Sequence, residues 1–296
     1  MPREEVLHKV TDVDAIICHG KDKADAELVA KGSKLKVISN FGAGYDTVDV
    51  KAATERNIWV CNTPGAVTNA TADVALYLLL AACRRATEAE RFLRDGSWER
   101  QGSDILAFWG NNPEGKTLGI IGMGNIGKAL AKRAAALDMR VIYYKRTPLP
   151  KEEENGATYK SMDDLLAESD FISIHTPLTD ATRHILGRDQ FAKMKKGVYI
   201  INTARGPVID EEALVEALKA KIVRGAGLDV FEVGAPGPAH VPVGHAPASH
   251  RHRHDRSPIR HVCTSPRLPR TRIIITHHRT RTTAHAHTTA HARHKY

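Results

Sequence analysis

The sequence predicts an α/β protein built on a doubly wound parallel sheet, and three observations predict it. Eight short apolar runs with β-branched residues recur between residues 10 and 232: DAIICHG, LKVISN, NIWVCN, TLGIIG, RVIYYK, FISIH, GVYIIN and RGAGLDVF. Stretches of helical spacing separate them, among them 125–138, 161–168 and 210–220. Helix punctuation falls where that alternation needs it. Strand, helix, strand repetition sets the strands parallel and covers both faces of their sheet.

Taken along the chain, the punctuation starts and stops individual elements. Asp210 is placed as an N-cap ahead of Leu214, Val215 and Leu218, and Gly197 follows Lys195 and Lys196 as the stop of the preceding helix. The stretch 66–83 is apolar nearly all round and predicts a buried helix. Between 95 and 116, DGSWERQGSDILAFWGNNPEGK is rich in turn residues and lacks a period. These features divide the chain into a first domain at 1–65, a second at 66–232 and a tail at 233–296.

The tail differs in composition. It holds 11 of the 43 Lys and Arg, 12 of the 16 His and 7 of the 14 Pro, but Asp255 is its one acid and Tyr296 its one aromatic residue. Residues 1–232 therefore carry 32 basic and 33 acidic groups, a net charge of −1, and the overall +9 belongs to the tail. Such a segment buries too little apolar surface to offset its ordering entropy, so the tail is expected to be disordered. It lacks ordered ligand spacing and interleaved aromatics, which speaks against a metal site or a nucleic-acid partner. Cys18, Cys61, Cys83 and Cys263 form no C-x-x-C pair and fit a reducing compartment. The longest apolar run, VALYLLLAAC at 74–83, is half a membrane span, and the expected location is the cytoplasm.

One loop carries chemistry. After the run TLGIIG comes G-M-G-N-I-G, with Gly122, Gly124 and Gly127 in G-x-G-x-x-G spacing and Asn125 and Ile126 opening a helical stretch. Glycines there let a pyrophosphate reach the helix N-terminus, where free N–H groups and the helix dipole favour anions. A strand, this loop, a helix and a second strand make a Rossmann-type dinucleotide-binding unit. At the end of the second strand an NAD site uses an acid for the ribose 2′-OH; here the chain reads Lys145, Arg146, Thr147. Two cations suit a 2′-phosphate, so NADP(H) is expected over NAD(H).

Beyond this loop the residues resemble the D-isomer-specific 2-hydroxyacid dehydrogenases, and within them the glyoxylate and hydroxypyruvate reductases. The resemblance rests on SNFGAGYDTVD at 39–49, the glycine loop, IHTPLT at 174–179, INTARGPVIDEEAL at 201–214 and GAGLDVFE at 225–232, in that order. It implies a flavodoxin-like substrate domain beside the Rossmann-type one, a homodimer, and reduction of a small 2-keto acid to the D-2-hydroxy acid by hydride transfer. Arg205 matches the catalytic arginine, and Ala43 and Gly44 match positions whose N–H groups bind the substrate carboxylate. His175, Thr176 and Pro177 match the segment passing under the adenosine half of the coenzyme, and Thr203 and Asp229 match the lining of the nicotinamide site. His175 is not the family's acid.

The resemblance stops at about residue 232. The family continues D-V-F-E-x-E-P, its second Glu supporting a catalytic His in a T-P-H-x-G segment, but here that Glu position is Gly234 and no T-P-H-x-G follows. A shifted reading frame or mispredicted exon accounts for the tail most simply. The expected consequences are impaired turnover and a first domain lacking its opening strand and closing helix, with sheet edge and apolar surface uncovered. The alternative is a dinucleotide-binding module without turnover, like the corepressors that resemble this family.

Overall fold

The computed structural model describes residues 1–20, 22–102 and 108–232, together with the backbone of a strand at Ile273–Ile275. The chain divides into two compact units, Met1–Thr63 with Cys263–Tyr296, and Pro64–Val262.

In the first unit α1 (Arg3–Lys9), β1 (Ala15–Cys18), α2 (Ala26–Lys31), β2 (Val37–Asn40), α3 (Val50–Glu55) and β3 (Trp59–Cys61) alternate. Aspartates start two of the helices: Asp25 accepts from the Leu28 N–H at 3.1 Å and Asp49 from the Ala52 N–H at 2.9 Å. Every second residue of β1 and β2 is buried, and Ile16, Cys18 and Ile38 pack with Leu7, Leu28, Val29 and Ala53. The sheet has the order β10-β1-β2-β3, all pairs parallel, where β10 is Ile273–Ile275.

One short stretch of the tail is described. Ile273–Ile275 lie in the tail expected to be disordered, yet Ala15, Ile16 and Ile17 of β1 pair with Ile273, Ile274 and Ile275 in turn. Three consecutive β-branched residues are the tail's strongest strand signal, and β1 offers an edge with unpaired backbone groups. The remainder of the expected disorder lies outside the described residues.

The second unit begins with α4 (Thr68–Cys83), α5 (Ala86–Arg94) and α6 (Ser97–Gln101). It continues as β4 (Thr117–Ile121), α7 (Asn125–Ala135), β5 (Arg140–Tyr144), β6 (Thr158–Tyr159), α8 (Met162–Glu168), β7 (Phe171–Ile174), α9 (Arg188–Ala192), β8 (Val198–Asn202), α10 (Glu211–Lys219) and β9 (Val223–Leu228). All six strands are parallel in the order β6-β5-β4-β7-β8-β9. Numbered within the unit this is 3-2-1-4-5-6, the order of a Rossmann-type doubly wound sheet. Two hydrophobic clusters occupy its two faces. One joins Leu118, Ile120, Tyr143 and Phe171 to Leu78 and Leu79 of α4 and Leu130 of α7; the other joins Ile121, Ile172 and Ile200 to Leu165 of α8, Phe191 of α9 and Leu214 of α10. Every residue of β4, β7 and β8 is buried, as a doubly covered sheet requires.

Asp210 caps α10, accepting from the Ala213 N–H at 3.0 Å, as its position predicts. The preceding helix stops earlier than expected. It ends at Ala192, where the Lys193 and Met194 N–H groups bond three residues back, to the Gln190 and Phe191 carbonyls, and tighten the last turn. Gly197, at φ +89°, belongs instead to the turn into β8. Helix α4 is buried on the side facing the sheet and α7, but Tyr77 is 52 % exposed, so within this chain its burial is not all round. No helix among the described residues is long and apolar enough to cross a membrane.

Candidate functional site

In an open parallel sheet, ligands bind beyond the carboxyl ends of the strands, where the order reverses. Here that reversal lies between β4 and β7. The sequence-predicted residues of the second unit all follow the carboxyl ends of its strands. In order across the sheet they are Lys145, Arg146 and Thr147 after β5; Gly122, Gly124, Asn125, Ile126 and Gly127 after β4; His175, Thr176 and Pro177 after β7; Thr203 and Arg205 after β8; and Asp229 after β9. Two backbone bonds beyond the strands keep neighbouring ends in step, from the Gly122 N–H to the Tyr144 carbonyl at 2.9 Å and from the His175 N–H to the Ile121 carbonyl at 2.8 Å.

The glycines have separate tasks. Gly122 sits at φ +99°, and a Cβ there would lie 2.8 Å from the C and O of His175, so only glycine allows the β4 and β7 loops to touch. A Cβ on Gly127 would lie 2.5 Å from the Gly122 carbonyl oxygen, which closes the helix onto the turn. A Cβ on Gly124 would meet nothing within 4 Å. That open space faces the start of α7, where the Gly124, Asn125 and Ile126 N–H groups make no hydrogen bond to protein among the described residues. Nearby, His175 Nδ1, Thr176 Oγ1 and Thr203 Oγ1 are buried side-chain atoms without a partner among the described residues. Buried polar groups ordinarily have one. An open cradle at a helix N-terminus with orphaned polar atoms around it fits a dinucleotide.

Burial lowers the His175 imidazole from 6.5 to about 4, so it is neutral at physiological pH. Its Nε2 lies 2.9 Å from Ser173 Oγ, which fixes the ring. Lys145 is half-buried and Arg146 exposed, and neither makes an ion pair among the described residues. Arg205 is half-buried between β8 and a 3-10 turn at Gly206–Val208, its Nη1 donating to the Ala204 carbonyl at 2.7 Å. A Cβ on Gly206 would lie 1.9 Å from the Phe231 carbonyl carbon, so glycine here lets the chain after β9 pack against the Arg205 turn. Glu232, the last described residue of that stretch, accepts on Oε1 from His184 Nε2 at 2.8 Å. Gly234, which stands at the position of the family's second Glu, lies outside the described residues.

In the first unit, Ala43 and Gly44 occupy the loop leaving β2. Ala43 is half-buried and Gly44 exposed, and no acceptor among the described residues takes the N–H of either.

Sequence reasoning passed over three asparagines. Asn202, 1 % exposed, donates from Nδ2 to the Arg205 carbonyl at 2.9 Å and accepts the Ala204 N–H on Oδ1 at 3.0 Å, so its amide shapes the turn that carries Arg205. Asn40 and Asn62 hold the 42–44 loop in the same manner. The available signal was an Asn directly after an apolar run, where a buried amide must have work to do.

The strand order and the cradle thus define a Rossmann-type fold that fits a dinucleotide, and comparison with known proteins narrows it. The model of the D-isomer specific 2-hydroxyacid dehydrogenase NAD binding domain matches residues 76–280. The glyoxylate reductase of Thermococcus litoralis is 50% identical over 234 residues, 78% of this chain and 71% of that protein. The crystal structure of a glyoxylate reductase from Paecilomyes thermophila superposes with a TM-score of 0.75 at 44% identity, covering 80% of this chain and 74% of that one. An acyclic imino acid reductase in complex with NADPH and D-Arg gives 0.73 at 31% identity, with 80% and 75% covered. The chain belongs to the D-isomer-specific 2-hydroxyacid dehydrogenase family, and by family it is an NAD(P)-dependent oxidoreductase.

Proposed function

We propose that this protein reduces a small 2-keto acid of the glyoxylate or hydroxypyruvate type to the D-2-hydroxy acid, with NADPH as the preferred coenzyme. The observation that carries the reading is the alignment of Arg205 with the dinucleotide cradle along one end of one sheet. When bound, the coenzyme supplies the hydride that reduces the substrate's C2. Gly124, Asn125 and Ile126 hold its pyrophosphate with backbone N–H groups, and Gly122 and Gly127 shape the turn that presents them. Lys145 and Arg146 pair with the 2′-phosphate, with Thr147 beside them. His175, Thr176 and Pro177 would hold the adenosine half, and Thr203 and Asp229 would hold the nicotinamide end. The Arg205 guanidinium polarises the carbonyl and stabilises the alkoxide as charge develops. The Ala43 and Gly44 N–H groups take the substrate carboxylate.

The alkoxide also needs a proton. Gly234 stands where the family has the Glu that supports its catalytic His, and losing a proton donor costs about 10²- to 10⁴-fold in rate. Slow turnover is therefore the expected behaviour of this chain. That same departure favours a second reading, a dinucleotide-binding module without turnover. The two separate in one assay: NADPH consumption in the presence of glyoxylate above the protein-free rate supports the reductase, and saturable NADPH binding without consumption supports the module. On family grounds the protein is further proposed to be a cytoplasmic homodimer.

A further inference from the structure

In a trans peptide the C=O and the following N–H point in opposite directions, so holding the carbonyl of one residue aims the N–H of the next. The Gly42 carbonyl accepts from Asn40 Nδ2 at 3.2 Å and from the Thr63 N–H at 3.0 Å, which turns the Ala43 N–H away from both. The Ala43 carbonyl accepts from Asn62 Nδ2 at 2.8 Å, which turns the Gly44 N–H away in turn. Asn40 Nδ2 also donates to the Gly44 carbonyl at 2.7 Å and closes the loop from behind. Ser39 of β2 pairs with Cys61 of β3, so the residues that follow, Asn40 and Asn62, sit side by side and pull on the loop from the same flank.

Asn40 is itself fixed. It is 3 % exposed, and its Oδ1 lies 3.8 Å from Cys18 Sγ, which is equally close to the Ser39 carbonyl. Burial pushes the Cys18 thiol up to about 11, so it keeps its proton and donates. The amide oxygen thereby faces β1 and the amide nitrogen faces the loop. Burying an amide here costs desolvation that an apolar side chain at the same position avoids. What the amide adds is direction in the peptides above it.

We infer that Asn40 and Asn62 are positioning residues for the substrate carboxylate, holding the Gly42 and Ala43 carbonyls on the sheet side so that the Ala43 and Gly44 N–H groups form a preset two-donor clamp. The inference rests on the reading of that loop under Proposed function. It adds a specificity: the clamp rewards a carboxylate, through charge-assisted hydrogen bonds, and gives little to a neutral carbonyl compound of the same size.

The test uses the full chain labelled with nitrogen-15 and two probes, oxamate as a carboxylate that is not reduced and neutral oxamide as its control. Asn62→Ala tests the half-buried partner, and Asn40→Ser retains a polar group at the buried one. The wild type is expected to shift its Ala43 and Gly44 amide resonances with oxamate. Both variants should bind oxamate about 10- to 100-fold more weakly, the scale of losing preset donors to a charged group, while oxamide and NADPH affinities stay unchanged. Variants that bind oxamate as the wild type does, or that weaken oxamate and oxamide equally, overturn the positioning role. If the wild-type Ala43 and Gly44 resonances ignore oxamate, the carboxylate reading itself fails and takes this inference with it, a result distinguishable because it appears before any substitution.

Discussion

Two loops in this chain present backbone N–H groups that no acceptor among the described residues takes, and they do so by different means. At the β4–α7 turn the donors are the first N–H groups of a helix, unpaired among the described residues; glycine at 124 leaves the way to them open, and glycine at 122 and 127 lets the turn close. At the loop after β2 there is no helix start. The N–H groups of Ala43 and Gly44 have no acceptor among the described residues, and amide side chains from two neighbouring strand ends hold the carbonyls behind them. The first device is an absence of side chains, and the second is the presence of particular ones. A diffuse phosphate pair suits an open cradle; a single small carboxylate needs a direction.

The comparison can be broken most sharply at the glycines. Gly122→Ala puts a Cβ 2.8 Å from the His175 backbone at a φ of +99°, and the expected cost is about 2–4 kcal/mol in stability together with loss of NADPH binding. Gly124→Ala, with open space around its Cβ, should leave the melting temperature unchanged and weaken NADPH about tenfold, by filling the cradle alone. Equal losses of stability in the two variants, read by thermal denaturation, count against a division of tasks among the glycines.

A next, smaller effect sharpens the coenzyme end. The double change Lys145→Ser with Arg146→Ser is expected to cost about tenfold or somewhat more in NADPH affinity, on the scale of exposed charge-assisted contacts, with NADH affinity little altered. Parallel titrations of both nucleotides decide it. A wild type that prefers NADH removes the 2′-phosphate assignment outright.

The smallest effect concerns His175. Its folded pKa, about 4, lies below the ordinary 6.5, so the unfolded chain takes up a proton first as pH falls. The stabilisation is complete above about 6.5 and is lost as pH falls toward 4, at most about 3 kcal/mol in all. Urea midpoints between pH 7 and 4.5 should fall more steeply for the wild type than for His175→Gln. Identical slopes mean that the ring is not held neutral by burial.

What the chain reveals without a structure follows from the range of each signal. The strands β4, β7 and β8 are legible because each is an unbroken apolar run, and the glycine loop is legible because its three residues act within six positions. The two-residue strand β6 is too short to show a period. The strand at Ile273–Ile275 was hidden by the composition around it; only pairing with the edge of β1 gives it a structure. The stop of α9 was misplaced because Gly197 signals a turn without saying which turn. Within the site, Arg205 stands out only through the motif around it.

By itself, then, the amino-acid order determined the α/β class, the alternation of elements, the phosphate cradle and the pair of cations at the end of β5. These depend on local spacing and on backbone freedom, which any reader of the chain can count. Tertiary structure alone decided the strand order 3-2-1-4-5-6, the orphaned polar atoms of His175, Thr176 and Thr203, and the partnership of Asn40 with Asn62. Residues 22 positions apart share a task there because β2 and β3 lie side by side, and a hydrogen bond depends on distance in space and not along the chain.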